Sequence, residues 1–190
     1  MDRLYTGVPK RALDVAVSSL MLVILLPLLV LLWVLVRVKL GSPVLFRQQR
    51  PGRFGVLFKI YKLRTMTAAR DANGELMPDS ARLTKFGEFL RRTSLDELPE
   101  LWNVLRGDMS LVGPRPPLPY EVDAYSEWHR TRLQALPGVS GLWQVGGRSR
   151  VTFDEMVFQD LFYATDQSLL LDLAICLRTV PAIINGRGAA

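Results

Sequence analysis

The chain has one cysteine, Cys176, and one histidine, His129, in 190 residues. With so few, neither a disulfide framework, a thiolate zinc site nor a histidine-based catalytic triad can be assembled. A metal ion here has to be held by oxygen, which favours magnesium or another hard cation. Acidic residues are missing from a long interval too: none occurs between Asp14 and Asp71, although nine lysines and arginines do. The net charge of +6 understates this asymmetry. A block of one sign attracts anions, whether lipid headgroups, nucleic acid or phosphorylated small molecules, and does not choose among them. The lone cysteine agrees with a reducing, cytoplasmic setting.

Charge of either sign is absent from Val15 to Val36, a run of 22 residues. As a straight helix it extends about 33 Å, enough for the ~30 Å hydrocarbon core of a bilayer. Pro27 sits near its middle, where a proline removes a helix hydrogen bond and favours a kink. Lys10 and Arg11 flank one end and Arg37 and Lys39 the other, so the positive-inside rule does not send the ends to opposite faces. On these residues alone a single-pass anchor and a segment that enters and returns on one face both stay open. A cleaved signal peptide is disfavoured, because no small-residue cleavage pattern follows.

The length suits one domain. Residues 43–66 predict a hairpin with a type II turn at Pro51-Gly52. A period of two then puts Ile60, Lys62 and Arg64 on one face, with the two cations either facing phosphate or guarding a solvated edge. Residues 67–80 predict a loop, and Leu83, Phe86, Phe89 and Leu90 an amphipathic helix over 81–92. A further helix is expected over about 120–135, and another over 168–184, buried or lying along the membrane plane. Trp102 and Trp143 read as core or interface aromatics and His129 as structural.

Asp96 and Glu97 stand side by side in Ser94-Leu95-Asp96-Glu97. That pattern fits a capping box, with Ser94 capping a helix and Glu97 reaching back to its amide. Two adjacent carboxylates close to arginines also suit phosphoryl chemistry. One can attack phosphorus while the other holds magnesium or manages a proton, and guanidinium groups clamp the phosphoryl oxygens. The two readings are compatible.

Several stretches together resemble the bacterial sugar transferase family, the small monotopic phosphoglycosyl transferases. They are KRALD with the proline-containing apolar segment, VLFRQQRPGRFG, FKIYKLRTM, RLTKFGEFLRRTSLDELPELWNVLRGDMSLVGPRP, LPGVSGLWQVGGRS and SLLLDL, in the family's order over nearly the whole chain. The resemblance implies transfer of a phosphosugar from a nucleoside diphosphate sugar, usually a UDP-sugar, to a polyprenyl phosphate. It makes Asp96 the nucleophile of a covalent phosphosugar intermediate, Glu97 its dyad partner, magnesium the cofactor held at Asp96 and Glu97, and Arg115 of the GPRP motif a phosphate ligand. Lys62, Arg64 and Arg91 are further candidates for phosphate, and Gln144 and Arg148 for the nucleotide or sugar.

The implied fold is mainly α with a short β-hairpin. Residues 1–40 would form a re-entrant membrane helix broken near Pro27, and residues 41–190 one cytosol-facing catalytic unit with amphipathic helices at the membrane interface. The implied location is the cytoplasmic face of the bacterial inner membrane. Membrane lipids are expected partners and a homodimer is left open. The competing function is a membrane-anchored cationic binding protein without catalysis. Nucleic acid is not an expected partner, since the cations sit beside a membrane insert without a groove-reading motif.

Overall fold

Apolar side chains of the N-terminal region find little to pack against. In the computed structural model, which describes residue 5, residues 7–146 and residues 151–184, they form helix α1, Val8–Leu40. It is the one described helix long and apolar enough to cross a membrane. Lys10, Asp14 and Ser18 are buried at its start and Leu32, Val36 and Leu40 at its end. No residue of 19–31 is buried. A period of 3.6 puts all six buried positions on one side of the helix. Both ends of α1 therefore dock on the rest of the chain, while Leu20, Val23, Ile24 and Val30 between them remain exposed. Pro27, near which a break is expected, lies inside α1, and the helical run continues through it. A proline removes only its own N–H donor, and an apolar chain has no better use for the remaining backbone groups than the helix.

After α1 the chain enters strand β1, Leu45–Pro51, which pairs antiparallel with β2, Leu57–Leu63, Arg50 lying opposite Phe58 and Phe46 opposite Lys62. The hairpin is as expected, but its turn is not. Pro51 closes β1, where a missing N–H is tolerated, and the chain reverses over Gly52–Val56 through a 3-10 turn. Phe54 takes a left-handed φ of 57° there and is exposed.

Residues 67–80 close on themselves through an Arg70–Leu76 bridge. The expected helix over 81–92 is two: α2, Asp79–Arg82, and α3, Lys85–Arg92. Thr84 divides them, because its side chain accepts from the Gly87 amide and starts α3 afresh. A Cβ on Gly87 would lie 1.8 Å from the Thr65 carbonyl oxygen, so only glycine lets α3 lie this close to the end of β2.

Helix α4, Glu100–Arg106, leads into β3, Ser110–Val112. The helix expected over 120–135 is broken into α5, Pro119–Asp123, α6, Glu127–Arg130, and a 3-10 turn. Ser126 caps α6 and so interrupts it. Strand β4, Gly138–Ser140, pairs parallel with β3, which hydropathy did not foretell. Helices α7, Leu142–Gly146, α8, Phe153–Thr165, and α9, Leu169–Ile184, complete the described chain.

Three apolar clusters form the core. Leu32, Val36 and Leu40 of α1 meet Val44, Leu63 and Leu90; Ile60 meets Val104 and Met109; Val112 meets Tyr163 and Ile175. Helix α9 buries Asp172 and Ile175 while Leu170, Leu173 and Leu177 stay exposed. It is thus packed on one side and bare on the other.

Charges bind α1 to this core. Lys10 Nζ lies 2.9 Å from Asp14 Oδ1 and 2.5 Å from Asp172 Oδ2 of α9. Ser110 Oγ donates to Asp14 Oδ2, and Tyr5 and Tyr163 hydroxyls donate to Asp172. One buried cation thus sits between two buried carboxylates whose other lone pairs are satisfied by hydroxyls. Arg11 reaches a different element and donates to the Val104 and Leu105 carbonyls at the end of α4.

Candidate active site

Helix α4 and strand β2 are locked in register by Asn103, which is fully buried. Its Nδ2 donates to the Lys59 carbonyl at 2.7 Å, and its Oδ1 accepts from the Tyr61 amide at 3.1 Å. That register brings Lys62 of β2 over the turn preceding α4. Lys62 Nζ lies 2.6 Å from Glu97 Oε1 and 3.1 Å from Glu100 Oε1. Arg115 Nη1 shares the same Glu97 oxygen at 3.2 Å.

The Glu97 side chain is therefore not available for the capping box. Ser94 lies in the left-handed region at φ 53° and makes no side-chain cap, and residues 95–97 form a 3-10 turn. A local hydrogen bond to the Ser94 amide has been displaced by two charge-assisted contacts, which are the stronger kind. Glu97 faces away from its own backbone and toward β2 and the GPRP loop.

That loop, between β3 and α5, is held from three sides. Gly138 donates its amide to the Pro114 carbonyl at 2.9 Å, and a Cβ on Gly138 would lie 2.1 Å from the Gly113 nitrogen. Arg132, buried in an ion pair with Asp160 at 2.7 Å, donates to the Arg115 carbonyl at 3.3 Å. Arg50 donates to the Pro116 carbonyl at 3.2 Å. Arg115 consequently has a fixed backbone, yet 40% of its side chain is exposed, so it can meet a ligand.

Asp96 is 8% exposed and has no salt-bridge partner within 4 Å among the described residues. Burial, with Glu97 adding to it, pushes its carboxyl up to about 6, against the opposing pull of Lys62 and Arg91. Burial acts on Glu97 in the same sense, but Arg115 and Lys62 outweigh it and hold Glu97 well below the ordinary carboxylate range. Glu100 goes the other way: burial dominates and Glu97 repels a second charge, so its carboxyl is raised despite Lys62. The three neighbouring carboxyls thus differ in character. Glu97 is firmly ionised, Glu100 is held above the ordinary carboxylate range by burial, and Asp96 is ionised at neutral pH while poorly solvated, which is the condition of a reactive oxyanion.

Among the predicted site residues, Asp96, Glu97, Lys62 and Arg115 come together. Arg91 is beside them, its Nε donating to Thr65 Oγ1 at 3.0 Å. Arg64 does not join. It lies beyond the end of β2, where the alternation no longer applies, and donates to the Ser42 carbonyl at the junction of α1 and β1. Gln144 is on α7, close to Gly141. Arg148 lies outside the described residues. His129 packs edge-on against Tyr125 and Phe153 and lies 2.8 Å from Asp154, and Trp102 is exposed, which excludes the core and leaves the interface reading. Sequence reasoning missed Glu100, whose only sign was a third acid in the DELPE run.

Among the described residues no three His, Cys, Asp or Glu side chains gather to hold a metal ion. Two adjacent carboxylates are the protein's usual share of a magnesium site that phosphate oxygens and water complete. Oxygen donors alone fit that ion and no softer one.

An unpaired carboxylate flanked by two cations, on a body that carries a bare apolar helix, matches a known pattern. The family model for bacterial sugar transferases covers residues 5–186. The chain belongs to the bacterial sugar transferase family. This sugar transferase is 41% identical over 179 residues to a protein of Bacillus subtilis (strain 168) named uncharacterized sugar transferase EpsL, covering 94% of the chain and 89% of EpsL. It is 41% identical over 200 residues to the UDP-glucose:undecaprenyl-phosphate glucose-1-phosphate transferase of Caulobacter vibrioides, covering 97% and 73%. It is 39% identical over 197 residues to the undecaprenyl-phosphate galactose phosphotransferase of Salmonella typhimurium, covering 95% of the chain but 41% of that enzyme's length. Membership of a transferase family decides against the alternative of a cationic binding protein without catalysis.

Proposed function

We propose that the chain transfers a phosphosugar from a UDP-sugar to a polyprenyl phosphate, with Asp96 as the nucleophile. The observation that carries this reading is the Asp96 carboxylate, unpaired and nearly dry, in the field of Lys62 and Arg91 and adjacent to Glu97, which holds Lys62 and Arg115. An Asp96 oxygen attacks the phosphorus bonded to the sugar, the bond from that phosphorus to the bridging oxygen breaks, and UMP departs with the electron pair. A phosphate oxygen of the polyprenyl phosphate then attacks the same phosphorus and the Asp96 carboxylate leaves, giving the polyprenyl diphosphate sugar. Arg115 and Lys62 stabilise charge on the phosphoryl oxygens, and Glu97 orients both. Asp96 and Glu97 would hold magnesium, which when bound neutralises part of the diphosphate charge. A covalent relay lets two bulky substrates use one carboxylate in turn.

The test is mass spectrometry of enzyme quenched with a UDP-sugar and no acceptor. The expected result is a hexose-phosphate-type mass increment on the peptide containing Asp96, lost on adding polyprenyl phosphate. A donor that turns over without ever leaving that increment overturns the nucleophile.

The docking of both ends of α1 on one catalytic body supports a re-entrant path, with the exposed middle of the helix in lipid and residues 41–190 on the cytoplasmic face of the inner membrane. With Cys176 replaced by serine, Val8→Cys and Ser42→Cys are expected to react with an impermeant maleimide from the same side of sealed vesicles. Labelling from opposite sides would establish a span.

A further inference from the structure

Alternation along the hairpin puts Gln48, Arg50, Ile60 and Lys62 on one face, since Gln48 pairs with Ile60 and Arg50 with Phe58. Arg50, Ile60, Lys62, Glu100, Arg115 and Pro116 line one shallow cleft that opens to solvent. Its cations are unequally matched by acids. Lys62 is paired with Glu97 and Glu100, and Arg115 with Glu97. Arg50 has no carboxylate within salt-bridge distance among the described residues; its partners are neutral, Gln48 Oε1 at 3.0 Å and the Pro116 carbonyl at 3.2 Å. Those two bonds use two of the five N–H donors of a guanidinium. Burial and the facing Arg115 both disfavour its charge, lowering its pKa.

A half-buried guanidinium that shares a cleft with two other cations is an arrangement that an anion relieves. The cleft adjoins Glu97, so that anion lies next to the carboxylate pair. We propose that Arg50, with Lys62 and Arg115, forms a phosphate-binding pocket, and that Arg50 is a substrate-binding residue of this enzyme. The phosphate comes either from the diphosphate of the sugar nucleotide or from the lipid acceptor, and which of the two rests on the function proposed above. A role confined to bracing the GPRP loop through Pro116 would not depend on the charge of residue 50.

Binding of pyrophosphate is measured by calorimetry on the full chain in nanodiscs, without divalent cations, for wild type, Arg50→Gln and Arg50→Lys. Loss of one charge-assisted contact in a cleft predicts that Arg50→Gln weakens binding at least about tenfold. Arg50→Lys keeps the charge and recovers most of it. Equal affinity of all three proteins, each shown folded by its melting curve, overturns the pocket, as does weakening by Arg50→Lys as large as by Arg50→Gln. Steady-state kinetics assign the phosphate: a raised KM for the UDP-sugar in Arg50→Gln places the donor there, and a raised KM for polyprenyl phosphate places the acceptor there. A wild type that binds pyrophosphate through Arg50 but forms no adduct with any UDP-sugar keeps the pocket and removes the proposed reaction.

Discussion

Asp96→Asn is expected to lower transfer by at least about three orders of magnitude, since it removes the nucleophile rather than a contact. The same substitution is expected to make the protein harder to melt. The folded carboxyl is raised from the ordinary 3.8 to about 6. Between those values the folded chain holds a proton that the unfolded chain has lost, so stability falls as pH rises through this window and stays low above it. The ionised group therefore costs up to about 3 kcal/mol at neutral pH, and asparagine, of the same shape, does not carry that cost. Melting curves in EDTA should show the variant above wild type at about pH 8 and the two converging near pH 4. A variant that loses activity because it is misfolded would melt lower at both.

Lys10→Met should give the largest loss of stability, about 3–5 kcal/mol, because it leaves two buried carboxylates facing each other without a cation. Asp14 and Asp172 have 2% and 6% of their side chains exposed, so water cannot replace the ammonium. Adding Asp172→Asn to Lys10→Met removes one of the orphaned charges and should recover part of the loss, the non-additivity expected of residues in contact. Proteolysis of the protein in nanodiscs, read as the fraction of chain cleaved, measures both. Simple additivity would mean that the triad seen in the structure does not act as a unit.

The elements that the sequence foretold are those with local causes. The apolar run made α1, the alternating hairpin made β1 and β2, and the acidic pair and the GPRP arginine, separate in sequence, come together in the candidate site. What stayed hidden was decided by partners far along the chain. Glu97 satisfies every local requirement of a capping residue, yet Lys62 and Arg115, 35 and 18 positions away, take its side chain. Arg64 fits the same alternation as Lys62 but stands past Leu63, where β2 ends. Glu100 reads as an ordinary first-turn acid, and only the register set by Asn103 reveals that it is walled in beside Lys62. Lys10 and Asp14 stand at the i, i+4 spacing of a helical ion pair, whereas the third member, Asp172, lies 158 positions past Asp14 in a tail whose few charges gave no direction. The parallel pairing of β3 and β4 joins two three-residue strands, too short for any period to register.

Arg11 of α1 grips the last carbonyls of α4, and the turn that bears Asp96 and Glu97 leads into the first residues of that same helix. Seven residues of helix measure about 10 Å. On the proposed re-entrant path this short rod acts as a depth gauge between the lipid surface and the reacting carboxylate. A thicker or thinner bilayer would then be taken up by tilt in the unsupported middle of α1, leaving the height of the chemistry unchanged.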